Sequence, residues 1–494
     1  MTTEQGISST KETERKYEGP VPLPELAGTG PVHTTRDPGG LLLDAVYYDT
    51  VDRRLAAGGV TLRRRTGGAD DGWHLKLPLG GSSREEIRAP LTDRLPDSLL
   101  ALVRSRVRRE PIGAIVSLHT DRRRRLLLDA EGTALGEVAV DMVTARRDGR
   151  TAEWTEIEVE LADGADPAVL DAVEERLAAA GLRPSGSASK LARALAETAE
   201  ATAWAAPDAA GGTAGGDVLA YARRQWEILV GLDPAVRREQ PDAVHRMRVA
   251  TRRLRSCLRS HGKTLDRAAT KPLGEELRWL AGELGVDRDR EVLAERLGTR
   301  LAELPPELVR GPVPLRLARR DGIARQASRA RVTAALDSPR YLSLLDTLDL
   351  LLGTSPPLTD AAGRPAAKAM AKTLRREGDR LARRLDAALA AEPGPGRDAA
   401  LHRARKAAKR ARYAAEAARP ALGKKARRTG KRFKRVQRVL GDHHDSVVAR
   451  AALRQVAAEA EAAGEPSFTY GALHGRETAL AAAGERAADR LRVR

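Results

Sequence analysis

The sequence contains very little of three features that define common classes of protein. It has one cysteine, Cys257, among 494 residues, which excludes a disulfide framework and a zinc site built from cysteines. No apolar run approaches the roughly 18 residues that a membrane-spanning helix requires, and the polar N-terminus lacks the apolar segment of a secretory signal. Aromatic residues make up only 3% of the chain. These absences predict a cytoplasmic protein without a membrane segment.

Charge is present in abundance but is divided unevenly along the chain. Residues 1–200 carry 28 basic and 33 acidic side chains, a net charge of −5, whereas residues 201–494 carry 58 basic and 35 acidic ones, a net charge of +23. A coding bias towards arginine would affect both parts equally, and the acidic first part shows no such bias. The excess therefore predicts a polyanion-binding surface in the second part.

The hydrophobic pattern also changes between the two parts. Alternation of apolar and polar residues predicts antiparallel strands in residues 1–200, and two stretches, Asp93–Arg108 and Asp166–Ala180, have helical periodicity, so this part is predicted to be an α+β domain. Residues 201–216 have the composition of a linker. Long Ala/Leu/Arg stretches predict an all-helical domain over residues 217–494. The predicted strands are Leu43–Tyr48, Val60–Arg65, Trp73–Leu77, Arg125–Leu128, Leu135–Val140 and Trp154–Leu161.

The predicted helical domain contains an internal duplication. The segment His245–Arg255 aligns with His402–Arg412 at six identical positions of eleven, and a Leu-Gly-x-x-x-Asp motif follows each copy, at Leu284 and at Leu440. Two similar helical halves, about 217–355 and 365–494, explain this repetition.

Each copy of the repeat places basic residues on one face of a helix. At about 100° per residue, four side chains of each copy fall within a stripe of about 80°. Such a stripe needs solvent or an anion, and its recurrence with a histidine at its head favours an anion-binding role. The histidine either donates to phosphate or contacts the core. The stripes consist of His245, Arg248, Arg252 and Arg255, and of His402, Arg405, Lys409 and Arg412.

The first part has charged residues in alternation on its predicted strands. Glu12, Glu14 and Lys16 share one face of a strand, and Glu156, Glu158 and Glu160 share a face of the last one. An open sheet would display such residues to solvent, whereas a closed barrel would bring them together inside. Carboxylates there would bind a hard divalent cation and the cations would neutralise phosphate oxygens.

The first part resembles the CYTH domain, the triphosphate tunnel metalloenzyme family. The resemblance covers about residues 8–198. It rests on a Glu-x-Glu-x-Lys motif at Glu12–Lys16 and on further matches that include Arg63, Arg65, Lys76, Asp141 and Ser189-Lys190. It implies an eight-stranded antiparallel tunnel with flanking helices that binds triphosphate with Mg²⁺ or Mn²⁺. The implied catalytic residues are Glu12, Glu14, Lys16, Glu86 and Asp141. The implied triphosphate ligands are Lys16, Arg63, Arg65, Lys76, Arg122, Arg124 and Lys190. The implied metal ligands are Glu12, Glu14, Glu156 and Glu158, with Glu160 as an alternative to Glu158.

The second part resembles the CHAD domain, the conserved-histidine α-helical domain, over roughly 215–490. This resemblance implies two pseudo-symmetric four-helix bundles that bind inorganic polyphosphate between them, with the two stripes as ligands. Few aromatic residues accompany the stripes, so nucleic acid is not the expected ligand. The Asp-His-His-Asp run at 442–445 could suggest a metal site, but the alignment of His444 with Arg288 in the other repeat favours a structural or basic role.

The two resemblances together predict a metal-dependent triphosphatase that also binds polyphosphate, located in the cytoplasm and at polyphosphate granules. Two alternatives stay open at this point. One is a non-catalytic protein of polyphosphate granules, and the other is a tunnel that acts on an organic triphosphate, as thiamine triphosphatases and adenylate cyclases do.

Overall fold

The computed structural model describes residues 6–81, 83–199 and 212–491, which form two compact units divided at residue 205. The first unit is a mixture of strands and short helices. Its elements are β1 Ser8–Glu18, β2 Thr34–Arg36, β3 Leu41–Asp49, α1 Arg54–Ala57, β4 Thr61–Thr66, β5 Gly72–Gly80, β6 Ser83–Ala89, α2 Asp97–Val107, β7 Gly113–Leu128, β8 Ala134–Arg147, β9 Arg150–Leu161, α3 Ala168–Ala179, β10 Arg183–Pro184 and α4 Lys190–Glu197.

Eight of these strands form a closed antiparallel barrel. They are hydrogen-bonded in the order β1, β6, β5, β4, β3, β7, β8 and β9, and pairing of β9 with β1 closes the ring. The short strands β2 and β10 extend the edges of β7 and β1. The predicted eight-stranded antiparallel tunnel is therefore confirmed.

Many apolar residues of the barrel strands point outward, against helices α2 and α3. Trp73, Leu75 and Ile87 pack against Leu99 and Val103 of α2, and a similar cluster joins β1, β8 and β9 to α3. Successive side chains of a strand point to opposite faces. Residues that alternate with this outer apolar core, such as His74 and Lys76, therefore point into the barrel. A third apolar cluster, which includes Leu118, Val143 and Trp154, lies on the same strand faces as Arg122, Asp141 and Glu156, so it is inside the barrel, where it packs against α4.

The second unit is built from long helices. Four consecutive helices, α5 to α8, pack each on the next, and so do α10 to α13, while the shorter α9 packs on α7 and α8. No helix of the described segments is long and apolar enough to cross a membrane. The helices are α5 Ala214–Arg237, α6 Ala243–Ser260, α7 Arg267–Ala302, α8 Val313–Asp337, α9 Pro339–Asp349, α10 Ala366–Leu389, α11 Pro395–Ala417, α12 Arg419–Ala462 and α13 Phe468–Asp489.

Each set of four helices has its own apolar core, and the two sets meet along α6 and α11. Leu254, Leu277 and Leu345 belong to the first core, and Leu381 and Val436 belong to the second. The helices α6 and α11, which carry the two repeats, pack on each other. This contact places the two basic stripes side by side.

The predicted linker, 201–216, is only partly within the described residues. Its first eleven positions, 201–211, lie outside them, and its last three positions already form the first turn of α5.

Candidate functional site

The barrel encloses a cavity of about 300 Å³ with a charged lining. Most of the sequence-predicted site residues line it, whereas Asp141 and Glu156 are fully buried among the lining side chains and are not part of its surface. Asp70, Arg84, Arg88, Glu137 and Glu160 line the cavity in addition. The predicted residues that line it are Glu12, Glu14, Lys16, Arg63, Arg65, Lys76, Glu86, Arg122, Arg124, Glu158 and Lys190.

Asp141 on β8 holds two of the cations that reach the cavity. Arg122 donates to it from Nε and from Nη2, each at 2.7 Å, and Lys190 Nζ lies 2.8 Å from Oδ2. Although burial acts in the opposite direction, Lys190 and Arg122 lower the pKa of Asp141 below its ordinary value. Asp141 therefore fixes the orientation of Arg122 and Lys190 in the structure.

The three glutamates of β9 that share its inward face, Glu156, Glu158 and Glu160, have three different environments. Glu156 Oε1 accepts from Lys16 at 3.2 Å and from Lys190 at 3.1 Å, while its Oε2 is buried without a hydrogen-bond partner among the described residues. Glu158 is ion-paired with Lys16, Lys190 and Arg122, which keep its pKa well below the ordinary value against the effect of burial. Glu160 has no ion pair within the described part of the chain.

Glu160 lies opposite Glu14 in the pairing of β9 with β1. Burial raises the pKa of Glu160, and the neighbouring Glu14 and Glu158 add to the increase although Lys76 opposes it. The nearest cation to Glu14 is Lys16, whose Nζ is 3.5 Å from Oε1. Glu14 and Glu160 thus form a pair of cavity-lining carboxylates with little compensating charge, which is the arrangement that a divalent cation stabilises.

A second acidic pair lies on β1 and β6. Burial raises the pKa of Glu12 to about 7, even though Lys76 Nζ is 2.5 Å from its Oε2. Glu86 is buried too, but a hydrogen bond with His74 and the charges of Lys76 and Arg63 hold its pKa below the ordinary value. The two carboxylates therefore differ in proton affinity, and Glu12 is the one that can exchange a proton near neutral pH.

The helical unit has a basic groove of about 530 Å³ between its two halves. Seven of the eight predicted stripe residues line it: His245, Arg248, Arg252, Arg255, His402, Arg405 and Lys409. Arg412 does not, because its guanidinium lies 4.8 Å from the ring of Tyr413 and 3.7 Å from Glu416.

The Leu-Gly-x-x-x-Asp motifs position one arginine of each stripe. Arg248 pairs with Asp289 at 3.1 Å, and Arg405 pairs with Asp445 at 3.5 Å. A Cβ at Gly285 would lie 3.4 Å from the guanidinium of Arg248, so the glycine leaves space for that side chain. The two halves repeat this arrangement, which explains why both motifs accompany the stripes.

The groove histidines have low proton affinity. His402 and His444 approach with their Nδ1 atoms 3.1 Å apart, and burial together with nearby positive charge lowers the pKa of each to about 4. Burial and Arg288 likewise lower the pKa of His245. These imidazoles are neutral at physiological pH, and a neutral ring can donate one hydrogen bond to phosphate.

The groove cations repel each other strongly. Burial lowers the pKa of Lys409 to about 6, and Arg252 and Arg405 add to this effect. Burial also lowers the pKa of Arg252. The groove therefore holds positive charge that the chain itself does not neutralise, as expected of an anion-binding surface.

Sequence analysis missed several basic residues that lie in or beside the groove. Arg288, Arg296, Lys406 and His444 line it, and an adjoining cavity of about 330 Å³ shares Arg252, Arg255, Lys406 and Lys409 with it. These residues lie outside the two stripes, so the helical spacing within α6 and α11 could not identify them. The arginines that line the adjoining cavity but not the groove are Arg259, Arg380, Arg384, Arg403 and Arg410.

Comparison with known proteins identifies both units. Family models match residues 10–195 as a CYTH domain and residues 220–454 as a CHAD domain. An uncharacterized protein of Mycobacterium tuberculosis, Rv2226, is 40% identical over 502 residues, which cover 95% of this chain and 93% of the relative. The relative therefore spans both units.

Two solved structures also match. PptA from Streptomyces chartreusis is 23% identical, with 56% of this chain and 99% of PptA covered and a TM-score of 0.46. The CHAD domain from the plant Ricinus communis is 26% identical, with 60% of this chain and 99% of that domain covered and a TM-score of 0.45.

Proposed function

The chain belongs to the family of proteins that join a CYTH domain to a CHAD domain, and from this premise we propose that it hydrolyses inorganic tripolyphosphate in the barrel and binds inorganic polyphosphate in the helical groove. CYTH proteins act on triphosphates and generally depend on a metal. The observation that carries the proposal is the charged cavity of the barrel, into which the strands direct a dense set of acidic and basic side chains while much of the apolar core lies on their outer faces.

The cations of the barrel suit a short chain of phosphates. Lys76, Arg63 and Arg88 surround the cavity on one side and Arg122, Arg124 and Lys190 on another. Guanidinium groups match phosphate oxygens with paired hydrogen bonds, so these arginines would bind and orient the substrate. The cavity volume of about 300 Å³ favours a small substrate without a large organic group.

The acidic residues fit a divalent cation. Glu14 and Glu160 offer carboxylate oxygens that lack strong ion pairs, and oxygen donors are those that Mg²⁺ and Mn²⁺ prefer. When bound, such an ion would neutralise charge on the phosphoryl group and orient water. We assign Glu14 and Glu160 as its ligands and Glu12, with its pKa of about 7, as the acceptor of a proton from the attacking water.

The products released by the full chain test this activity. With Mg²⁺ or Mn²⁺, tripolyphosphate should yield phosphate and pyrophosphate, and ATP should not yield cyclic AMP. Formation of cyclic AMP would mean that the barrel acts as a cyclase and not as a hydrolase. A lack of turnover of every triphosphate across a metal series would leave the protein as a non-catalytic polyphosphate-binding protein.

The groove supports a polymer of bare phosphate as the second ligand. Tryptophan, tyrosine and phenylalanine are absent from the described residues that line it, so it offers no surface for stacking bases. Its histidines and arginines offer hydrogen-bond donors and positive charge, which bind phosphate groups and do not recognise bases. Attachment to this polymer would place the protein at polyphosphate granules.

We expect polyphosphate affinity to increase as the pH falls from about 8 towards 6. Lys409 has a pKa of about 6 in the free protein and is mostly neutral above it. Bound phosphates stabilise the ammonium form and raise this pKa, so binding takes up a proton. Calorimetry measures this proton uptake. A long polymer is used because only its few terminal phosphates titrate in this pH range, so the polymer itself contributes little to the uptake.

The matched variant is Lys409→Arg, which stays charged over the whole range. It should show a flatter pH dependence and less proton uptake than the parent. An unchanged pH dependence in this variant would assign the effect to another group.

A further inference from the structure

A histidine and two carboxylates meet inside the second set of four helices, away from the groove. Asp398 lies in the first turn of α11, His443 on α12 and Glu485 near the end of α13. The histidine is 2% exposed. Its Nε2 atom is 3.2 Å from Asp398 Oδ1 and 3.5 Å from Glu485 Oε1.

The buried Nε2 atom has no hydrogen bond within the described residues, although both carboxylates are close to it. The other oxygen of each carboxylate faces an arginine: Asp398 Oδ2 is 3.5 Å from Arg450, and Glu485 Oε2 is 3.2 Å from Arg397. The arginines therefore orient the carboxylates from outside. The His443 nitrogen and one oxygen each of Asp398 and Glu485 face one another, and these three atoms lie within 4.8 Å of one another.

The first half of the domain fills the corresponding place with a cation of its own. The alignment of the two Leu-Gly motifs puts Asp287 at the position of His443. Asp287 is bridged to Asp321 of α8 by Arg290, at 3.1 Å and 2.5 Å, and it also accepts from Ser328 at 2.8 Å. In the second half, no basic side chain other than the imidazole lies between the two carboxylates among the described residues.

We propose that Asp398, His443 and Glu485 form a zinc site that ties α11, α12 and α13 together. Zinc bonds of about 2.0–2.1 Å at tetrahedral angles place neighbouring donor atoms about 3.3 Å apart. The Nε2–Oδ1 and Nε2–Oε1 distances of 3.2 and 3.5 Å agree with this spacing. One imidazole with two carboxylates is a donor set that zinc accepts, and a water molecule would complete the four ligands.

The site would also support the groove. The helix α11 carries both Asp398 and His402, and α12 carries both His443 and His444. A zinc ion between α11 and α12 would fix the position of one helix against the other. It would thereby hold His402 and His444 in their contact on the groove side.

Calorimetric titration of the chelator-treated full-length protein with Zn²⁺ tests the site. An excess of Mg²⁺ occupies the carboxylates of the barrel during the titration. The parent should bind one zinc ion tightly, and His443→Gln and Glu485→Gln should each weaken this binding at least about 100-fold, because each removes one ligand. The control is Asp442→Asn, which removes an exposed neighbouring carboxylate and should leave zinc binding unchanged.

Thermal unfolding provides the second measurement. Zinc should raise the melting temperature of the parent and of Asp442→Asn but not that of Glu485→Gln, which keeps the buried imidazole and so controls for misfolding of His443→Gln. Parent-like zinc affinity in both ligand variants would overturn the proposal. So would the absence of zinc binding by the parent in excess Mg²⁺.

Discussion

Replacing Glu14 by alanine should abolish metal-dependent release of phosphate from tripolyphosphate, with kcat/KM falling at least about 1,000-fold. The carboxylate of Glu14 lines the cavity and has only a distant ion pair, with Lys16 at 3.5 Å. Its loss removes one oxygen ligand from the proposed metal and leaves Glu160 as a single acidic neighbour. Binding of Mn²⁺, followed by electron paramagnetic resonance, should decrease in parallel.

Variants of the last barrel strand separate the metal ligands from the supporting residues. Glu160→Gln should resemble Glu14→Ala, because the two residues lie opposite each other. Glu153→Gln, an exposed position of the same strand, should keep full activity. If Glu14→Ala hydrolysed tripolyphosphate at the parent rate, the proposed metal position would be wrong.

Glu156→Gln should instead reduce stability. Glu156 is fully buried and accepts from both Lys16 and Lys190. Replacing a buried carboxylate that is bonded to two lysines costs roughly 1–3 kcal/mol. The free energy of unfolding of the barrel should fall, whereas the affinity for Mn²⁺ should change less than in Glu160→Gln.

The outward apolar pattern explains why most barrel strands could be predicted. The segments Trp73–Leu77 and Trp154–Leu161 alternate clearly, since their outer residues, such as Leu75 and Ile157, pack on helices. The strand β6 was missed because its inward residues, Arg84, Glu86 and Arg88, leave only two apolar partners on the outer face. Only the end of β7, Arg125–Leu128, was predicted, because the charged run Asp121–Arg125 interrupts the apolar pattern in the middle of the strand.

Alternation identifies which side chains point inward, but not how deep each one lies. Glu156, Glu158 and Glu160 share one face, so the sequence could not distinguish them. The register of β9 against β1 does, because it sets Glu158 opposite Lys16 and Glu160 opposite Glu14. Such a register depends on the closure of the whole barrel.

Helical spacing has the same limit in the second unit. It predicted the stripes, and seven of eight residues line the groove. Arg412 shares the stripe by angle but pairs with Glu416 one turn further along its own helix. Residues of other helices, such as Arg288 and Arg296 on α7, join the groove only through tertiary packing.

Reversing two groove charges, Arg252→Glu with Lys409→Glu, should lower polyphosphate affinity at least about 100-fold at near-physiological salt. Both residues line the groove, one from each repeat, and neither forms an ion pair within the described residues. Their lowered pKa values reflect burial and mutual repulsion. Because glutamate is also a good helix former, the double variant should melt no lower than the parent.

A second double variant distinguishes binding in the groove from attraction by the net positive charge of the whole domain. Arg246→Glu with Arg428→Glu makes the same number of basic-to-acidic substitutions at exposed positions of α6 and α12 that do not line the groove. This control should retain most of the affinity and most of the salt dependence, because the polymer releases its counterions mainly where it contacts the groove. Equal losses in both double variants would mean that net charge alone attracts the polymer.

Competition identifies the kind of polyanion that the groove prefers. Long polyphosphate should displace single-stranded DNA at equal phosphate concentration, because the groove supplies charge and donors but no tryptophan, tyrosine or phenylalanine from the described residues. In the Arg252→Glu, Lys409→Glu variant this preference should disappear, since both polymers then meet the same repulsion. Displacement of polyphosphate by DNA or RNA from the parent would assign the groove to nucleic acid. Parent-like polyphosphate binding by the variant would show that the stripes are solvated helix faces.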